Sequence, residues 1–467
     1  MNDSNLGGES TSDEAYPESD QFSLQNQRLL GGYESREVDY PLVAASGTSD
    51  LGDAANGSGT DDFLEAAYPG QLNGDLSEQP LPFAAAAHAS TGLPTDSPLW
   101  SRMHRCASPA LPMGDLGRPL NMVCVGPNFC VGGVRQHALG LAKFLDPKRI
   151  RISEFLITDP LTGEAAAASG LPAPVAKLDD ASMSRMEREC DVVLMWGDGF
   201  NRRITCRRPV RVFVAHGETA WTRQALTQSS RVVDHVIAVS NRVRQRVCKG
   251  FSTTTILNGV DTARLSQSRS RDEVRRHFAF APSDFVVGSV GRFTQEKQFA
   301  LLIQSVQRLP TNFKLLLVGS GRRQHELQEL ANRCIPGRFG VVAANSYLGD
   351  YYSAMDAFGM VSAHEGFGLV LAEAMICGRP VFATNVGCVP EVICDRVNGL
   401  VVQPEVGSIA EAIRLIQMHR HWARGMACQG QSLANTHLHA ARMAREYEML
   451  LCRLVYERKL EGREAVR

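Results

Sequence analysis

The sequence predicts an α/β protein made of two Rossmann-like halves, each a parallel sheet wrapped by helices, with a long tail in front. From Asn121 onward, apolar runs of strand length alternate with segments of helical periodicity. Glycine-rich loops follow several of those runs, at Gly132-Gly133, Gly291, Gly319-Ser320-Gly321 and Gly366-Phe367-Gly368. Near residue 118 the composition changes from Ser, Gly, Asp, Glu, Ala and Pro with weak periodicity to ordinary globular usage.

The 467 residues are enough for two domains with substantial cores, and a hydrophobic share of 44% places the chain among soluble globular proteins. The net charge of −1 hides an asymmetry. Seventeen acidic residues but only Arg28 and Arg36 precede position 100, so that stretch carries −15 and the remainder +14. A basic body points to anionic partners: nucleotide phosphates, an anionic membrane surface or an acidic glycan. Residues 1–118 are expected to be disordered, and the AAAAH run at 84–88 is too short to form a lone helix. The 12 cysteines all fall at or after Cys106 without a CxxC pair, which reads as free thiols in a reducing compartment. No apolar run approaches a membrane span and no secretory signal opens the chain, so a cytoplasmic location is expected.

Element by element, Met122–Gly126 reads as the first strand. The Gly132-Gly133 loop follows, and Val134–Leu145 then has apolar residues at helical spacing. Strands are expected at 152–157, 191–196, 210–215 and 235–240, separated by short Arg-rich helices. Asn258-Gly259-Val260-Asp261 is a turn near the junction of the halves, and an Arg/Asp-rich segment runs from Leu265 to Arg276. The second half opens with Phe285–Val290 and continues through strands at 314–318 and 358–361. The last helix, 440–457, carries Met443, Tyr447, Leu450, Leu451 and Leu454 on one face. It either packs on its own domain or crosses back to the first.

The segment 361–393 carries the most chemistry. A strand end stops at Glu365-Gly366-Phe367-Gly368, the helix Leu369–Ile376 follows, and Val381–Ala383 starts another strand. In such a βαβ unit the glycines let the backbone approach a ligand, and the helix start offers unpaired N–H groups to anionic oxygens. Glu365 and Glu373, eight residues apart, suit a molecule with vicinal hydroxyls on either side of a phosphate. A nucleotide sugar is such a molecule. Gly291-Arg292, followed by Glu296-Lys297, places a planar guanidinium and a mobile ammonium where a diphosphate uses both.

The E-x7-E string with the trailing Gly387-Cys388-Val389-Pro390-Glu391 resembles the signature of retaining glycosyltransferase family 4 (GT4, glycosyl transferases group 1), whose fold is GT-B. The resemblance implies residues 119–262 as a short acceptor domain, 263–435 as the nucleotide-sugar donor domain, and 436–467 as a C-terminal helix. It implies catalytic roles for His216, Glu365, Arg292 and Lys297. Donor binding would fall to Gly132, Gly133, Gly291, Arg292, Lys297, Gly366, Phe367, Gly368, Leu369 and Glu373. In the family a glycine often follows the lysine; here Gln298 stands there. No metal or other cofactor is expected, because Arg292 and Lys297 would neutralise the diphosphate.

Gly319-Ser320-Gly321 and the stretch 345–349 would lie near the nucleotide, although the latter departs from the family pattern. Trp196 and Trp221 read as packing residues, with an acceptor-lining role open for Trp221. Arg202 to Arg211 and the cluster Arg242, Arg244, Arg246 and Lys249 form either a solvated basic face or a dock for an anionic membrane or the acidic tail. No nucleic-acid motif accompanies them. The expected partners are therefore a nucleotide sugar and a hydroxyl acceptor, with peripheral membrane contact through Arg202–Arg211. The rival readings are a sugar epimerase or phosphorylase on the same fold, or a binding protein that keeps the pocket without turnover.

Overall fold

The computed structural model describes residues 117–127, 132–158, 171–197, 209–344 and 347–464. The expected tail lies almost wholly outside them, as do Asn128 to Val131, Arg202, Arg203, Arg207, Arg208 and Asn345. Two parallel sheets organise the rest. The first contains β1 (Leu120–Gly126), β2 (Ile150–Ile157), β3 (Val175–Lys177), β4 (Val192–Met195), β5 (Val210–Ala215), β6 (His235–Ala238) and β7 (Thr253–Thr255). Their spatial order is β3-β2-β1-β4-β5-β6-β7. The second contains β8 (Phe285–Val290), β9 (Phe313–Val318), β10 (Phe339–Val342), β11 (Ala357–Met360), β12 (Val381–Thr384) and β13 (Leu400–Val402), in the order β10-β9-β8-β11-β12-β13.

Helices cover both faces of each sheet, so the central strands are apolar along their whole length rather than alternating. Every residue of β4, β6, β8, β11 and β12 is buried. The short edge strands β3, β7, β10 and β13 escape a periodicity reading, because three or four residues carry too little pattern; β7 is Thr-Thr-Thr.

Strand order reverses between β1 and β4, and again between β8 and β11. Loops leaving adjacent strands at a reversal diverge to opposite faces and open a crevice at the strands' carboxyl ends. Gly132-Gly133 follows β1 and Gly197 follows β4. In the second half, Arg292 to Lys297 follow β8 and Val361 to Gly368 follow β11.

The Arg/Asp-rich segment is structural. Arg271 and Arg275 both grip Asp356, the residue before β11, at 2.5 and 2.6 Å. Arg269 pairs with the buried Asp350 at 3.1 Å. The last helix, Ala440–Glu464, packs on the helix Gly133–Phe144 and on β5 of the first sheet, burying Met443, Tyr447, Leu450 and Leu451.

The chain therefore passes between the halves twice, and the two passages are stitched together. Val260 N donates to Leu438 O at 2.7 Å and Ala440 N donates to Val260 O at 2.9 Å. Gly259 makes this approach possible, since a Cβ there would stand 2.5 Å from Ala440 Cα.

One expectation needs correcting. Arg211 is only 7% exposed and its guanidinium pairs with Asp234 at 3.2 Å, so it cannot form part of a membrane-facing basic surface. It is the second residue of a buried strand, and burial there requires the partner. Arg242 is likewise engaged, with Glu218 at 2.6 Å. Among the described residues no helix is long and apolar enough to cross a membrane. The described cysteines are all free, and Cys124, Cys190, Cys248, Cys388 and Cys452 are buried.

Candidate active site

The loop after β8 and the loop after β11 meet. Lys297 Nζ donates to Glu365 Oε1 at 2.5 Å, and Ser362 Oγ donates to the same oxygen at 2.9 Å. Ala363 N donates to Glu296 O at 2.8 Å, binding one loop to the other through the backbone. Arg292 reaches out of this contact with a side chain 65% exposed, its only described ion pair being Glu296 at 3.8 Å. It is the solvent-facing cation of the pair, whereas Lys297 is largely covered. Gln298 adopts φ 51°, the left-handed region that costs a side-chain-bearing residue roughly 1–2 kcal/mol.

Gly368 caps the helix Leu369–Ile376 at φ 94°, a conformation that glycine tolerates without strain. Glu373 lies on that helix but does not stand open at its mouth. It is 2% exposed, with Arg264 Nη1 donating to Oε1 at 3.1 Å and Tyr352 OH donating to Oε2 at 2.8 Å. Burial raises its pKa, with the Arg264 charge and the Tyr352 hydrogen bond opposing. A carboxylate has about four acceptor positions, so two remain for another donor. Neither Arg264 nor Tyr352 was expected from sequence. Arg264 follows the Asn258–Asp261 turn, and nothing local to it marks its contact with a residue 109 positions away.

The first half faces this site across a close contact. A Cβ on Gly366 would fall 1.7 Å from His216 O, so only glycine permits the approach. Gly133 stands against Leu369, whose Cδ1 would be 3.6 Å from its Cβ. Ser240 Oγ donates to Gly366 O at 2.8 Å, Asn241 N donates to Glu391 Oε1 at 2.7 Å, and Arg242 Nη1 donates to Asn385 O at 3.0 Å. His364 Nδ1 lies 3.4 Å from the buried Glu218.

His216 follows β5, and its Nε2 is enclosed without a hydrogen-bond partner. Burial, then the neighbouring His137, holds its pKa far below the usual imidazole value, so it is neutral at pH 7. Trp196 is buried beside it, whereas Trp221 is 48% exposed, its ring edge lying over Gly197. The structure thus joins Lys297, Glu365, Gly366 and His216 through direct contacts, sets Gly133 on Leu369, leaves Arg292 at the rim and secures Glu373 in a separate buried network. Gly291 closes the base of the β8 loop; its carbonyl would be 1.9 Å from a Cβ on Gly319. Among the described residues no three His, Cys, Asp or Glu side chains converge as metal ligands would.

Residues 270–420 match the family described as glycosyl transferases group 1. That match takes in most of the half built on the second sheet. The lipopolysaccharide core biosynthesis mannosyltransferase LpsB of Rhizobium meliloti is 30% identical over 38% of this chain and 51% of its own length. A GDP-mannose-dependent alpha-(1-6)-phosphatidylinositol monomannoside mannosyltransferase of Mycobacterium tuberculosis is 27% identical over 56% of this chain and 75% of its own. The chain spans about half the length of several curated relatives it matches. Among solved structures, Anabaena Alr3699/HepE in complex with UDP superimposes with a TM-score of 0.61 at 19% identity, covering 71% of this chain and 99% of that one. The likeness establishes the GT-B fold: two Rossmann-like halves around a cleft.

Proposed function

We propose that the protein transfers a sugar from a nucleoside diphosphate to an acceptor hydroxyl with retention of anomeric configuration. The observation that carries this is the meeting of Lys297 and Glu365 at the strand-order reversal of the second sheet, with His216 pressed on the same loop from the first half. The names of the mannosyltransferase relatives and of the UDP-bound structure support a hexosyl nucleotide as donor.

In this reading Lys297 and Arg292 hold the diphosphate and offset the charge that grows on it as it leaves, without a metal ion. The N–H groups of Phe367 to Leu369 share that load at the helix start. Glu365 accepts from sugar hydroxyls, and Glu373 takes the ribose with the acceptor positions that Arg264 and Tyr352 leave. His216 would meet the sugar with its unpartnered Nε2. The bond from the anomeric carbon to the diphosphate oxygen breaks and one to the acceptor oxygen forms on the same face. The acceptor's proton passes to the departing phosphate.

The test is thermal-shift screening against UDP-, GDP- and ADP-sugars, followed by transfer assays with the donor that stabilises. A ligand that binds only the folded state raises its apparent stability, by about 2.7 kcal/mol at a hundredfold excess over Kd. Glu373→Ala is expected to abolish that shift for the matching donor. Full transfer activity in Glu373→Ala would defeat the assignment.

A further inference from the structure

Beneath His216 lies a polar cluster that the proposed transfer does not itself use. His137, on the helix Gly133–Phe144, is 1% exposed. Its ring meets His216 edge to face, centroids 4.8 Å apart at 84°. Trp196 meets His216 from another direction at 5.8 Å and 82°. Among the described residues no hydrogen bond holds the His216 side chain, so the two rings determine its orientation.

His137, by contrast, is anchored. Its Nδ1 is 2.9 Å from Asn258 Oδ1, and with the amide oxygen accepting, Nδ1 carries the proton. Asn258 lies in the first passage between the halves, where Arg442 Nη2 donates to Leu257 O at 2.6 Å and Gly259 N donates to Met443 Sδ at 3.3 Å. The ring of Tyr447, on the last helix, closes the far side of His137 at 5.3 Å. Packing alone does not call for an imidazole here. His137 Nε2 and Tyr447 OH are both buried and unpartnered, which an apolar pair would avoid.

We propose that His137 is a positioning residue: it holds the His216 ring against Trp196 and ties that ring, through Asn258, to the linker joining the two halves. The inference rests on the reading of His216 as a sugar-contacting group. His137 touches no donor; it acts by restricting the angles His216 adopts, so its loss lets the ring turn away from productive geometry.

The test compares His137→Leu and His137→Phe with the wild type. In His137→Leu, kcat is expected to fall about 10- to 100-fold with donor KM changed less than about twofold, the scale of effect that small misplacement produces. His137→Phe keeps the ring edge and is expected to lose less. In a His216→Ala background, His137→Leu is expected to add nothing, because a positioning effect needs the group being positioned. The side-chain NMR signals of His216 give a readout independent of turnover; they are expected to shift or broaden in His137→Leu. A folded His137→Leu protein with wild-type kcat and unchanged His216 signals overturns the inference. A wild type that turns over no nucleotide sugar overturns the proposed function instead, and the His216 signals then decide the positioning role by themselves.

Discussion

The two faces of the cleft are built in opposite ways. On the second half's side, where we place the donor, the chemistry is local: Glu365, the Gly366-Phe367-Gly368 turn and Glu373 all come from one βαβ unit, and Lys297 arrives from the adjacent strand's loop. Its groups are charged and already paired with one another. On the first half's side the chemistry is assembled from segments far apart in the chain, His137, Trp196, His216, Asn258 and Tyr447; its groups are neutral, and His137 Nε2, His216 Nε2 and Tyr447 OH are buried without a hydrogen-bond partner. Ionic partners can wait in a polar crevice because each satisfies the other until a ligand comes. A neutral imidazole has to be held by shape, and shape requires many neighbours.

Removing charge from the donor side gives the largest expected effect. Lys297→Ala takes away a cation at the leaving group and strands Glu365; the transfer rate is expected to drop by about 10²–10³-fold. Initial-rate measurements check this, and an undiminished rate would erase the distinction between the two faces. Next comes the contact between the faces. Gly366→Ala places a methyl group 1.7 Å from His216 O and props the halves apart. Transfer is expected to fall by about 10²-fold while nucleotide binding by the second half persists; calorimetry with the nucleotide alone against turnover separates the two.

The third effect is on stability rather than rate and concerns the buried imidazoles. Burial lowers the pKa of His137 to about 4 and that of His216 well below 6.5. The unfolded chain therefore binds protons that the folded one refuses. Stability is complete above about pH 6.5 and is lost as pH falls toward 4, at about 1.4 kcal/mol per pH unit for each histidine. Urea unfolding between pH 7.5 and 4.5 measures that slope. His137→Leu is expected to flatten it by one histidine's share, and an unchanged slope would show that the His137 ring is solvated after all.

How far the site could be read in advance follows from the same contrast. The helix Leu369–Ile376, the strand Phe285–Val290 and the loop between Glu365 and Gly368 were legible because pattern, glycine placement and charge coincide within a few residues. Lys297 was expected as a diphosphate-binding cation, and its pairing with Glu365 was not visible. Glu373 was expected on its helix as a donor-binding carboxylate, and its burial under Arg264 and Tyr352 was not visible, since neither contact is close in sequence. Arg211 looked like one of a basic run until its strand put it beside Asp234.

By itself the sequence determined the alternation of strands and helices, the glycine turns at the strand ends and the residues of the donor loop. Those depend on short-range sterics and on periodicity that a dozen residues suffice to display. Tertiary structure alone decided which charges pair, that the last helix returns to the first sheet, and that His137 lies under His216. Such contacts join residues far apart in the chain, 68 positions for Lys297 and Glu365 and 109 for Arg264 and Glu373, and only the packing of complete sheets and helices brings them within reach.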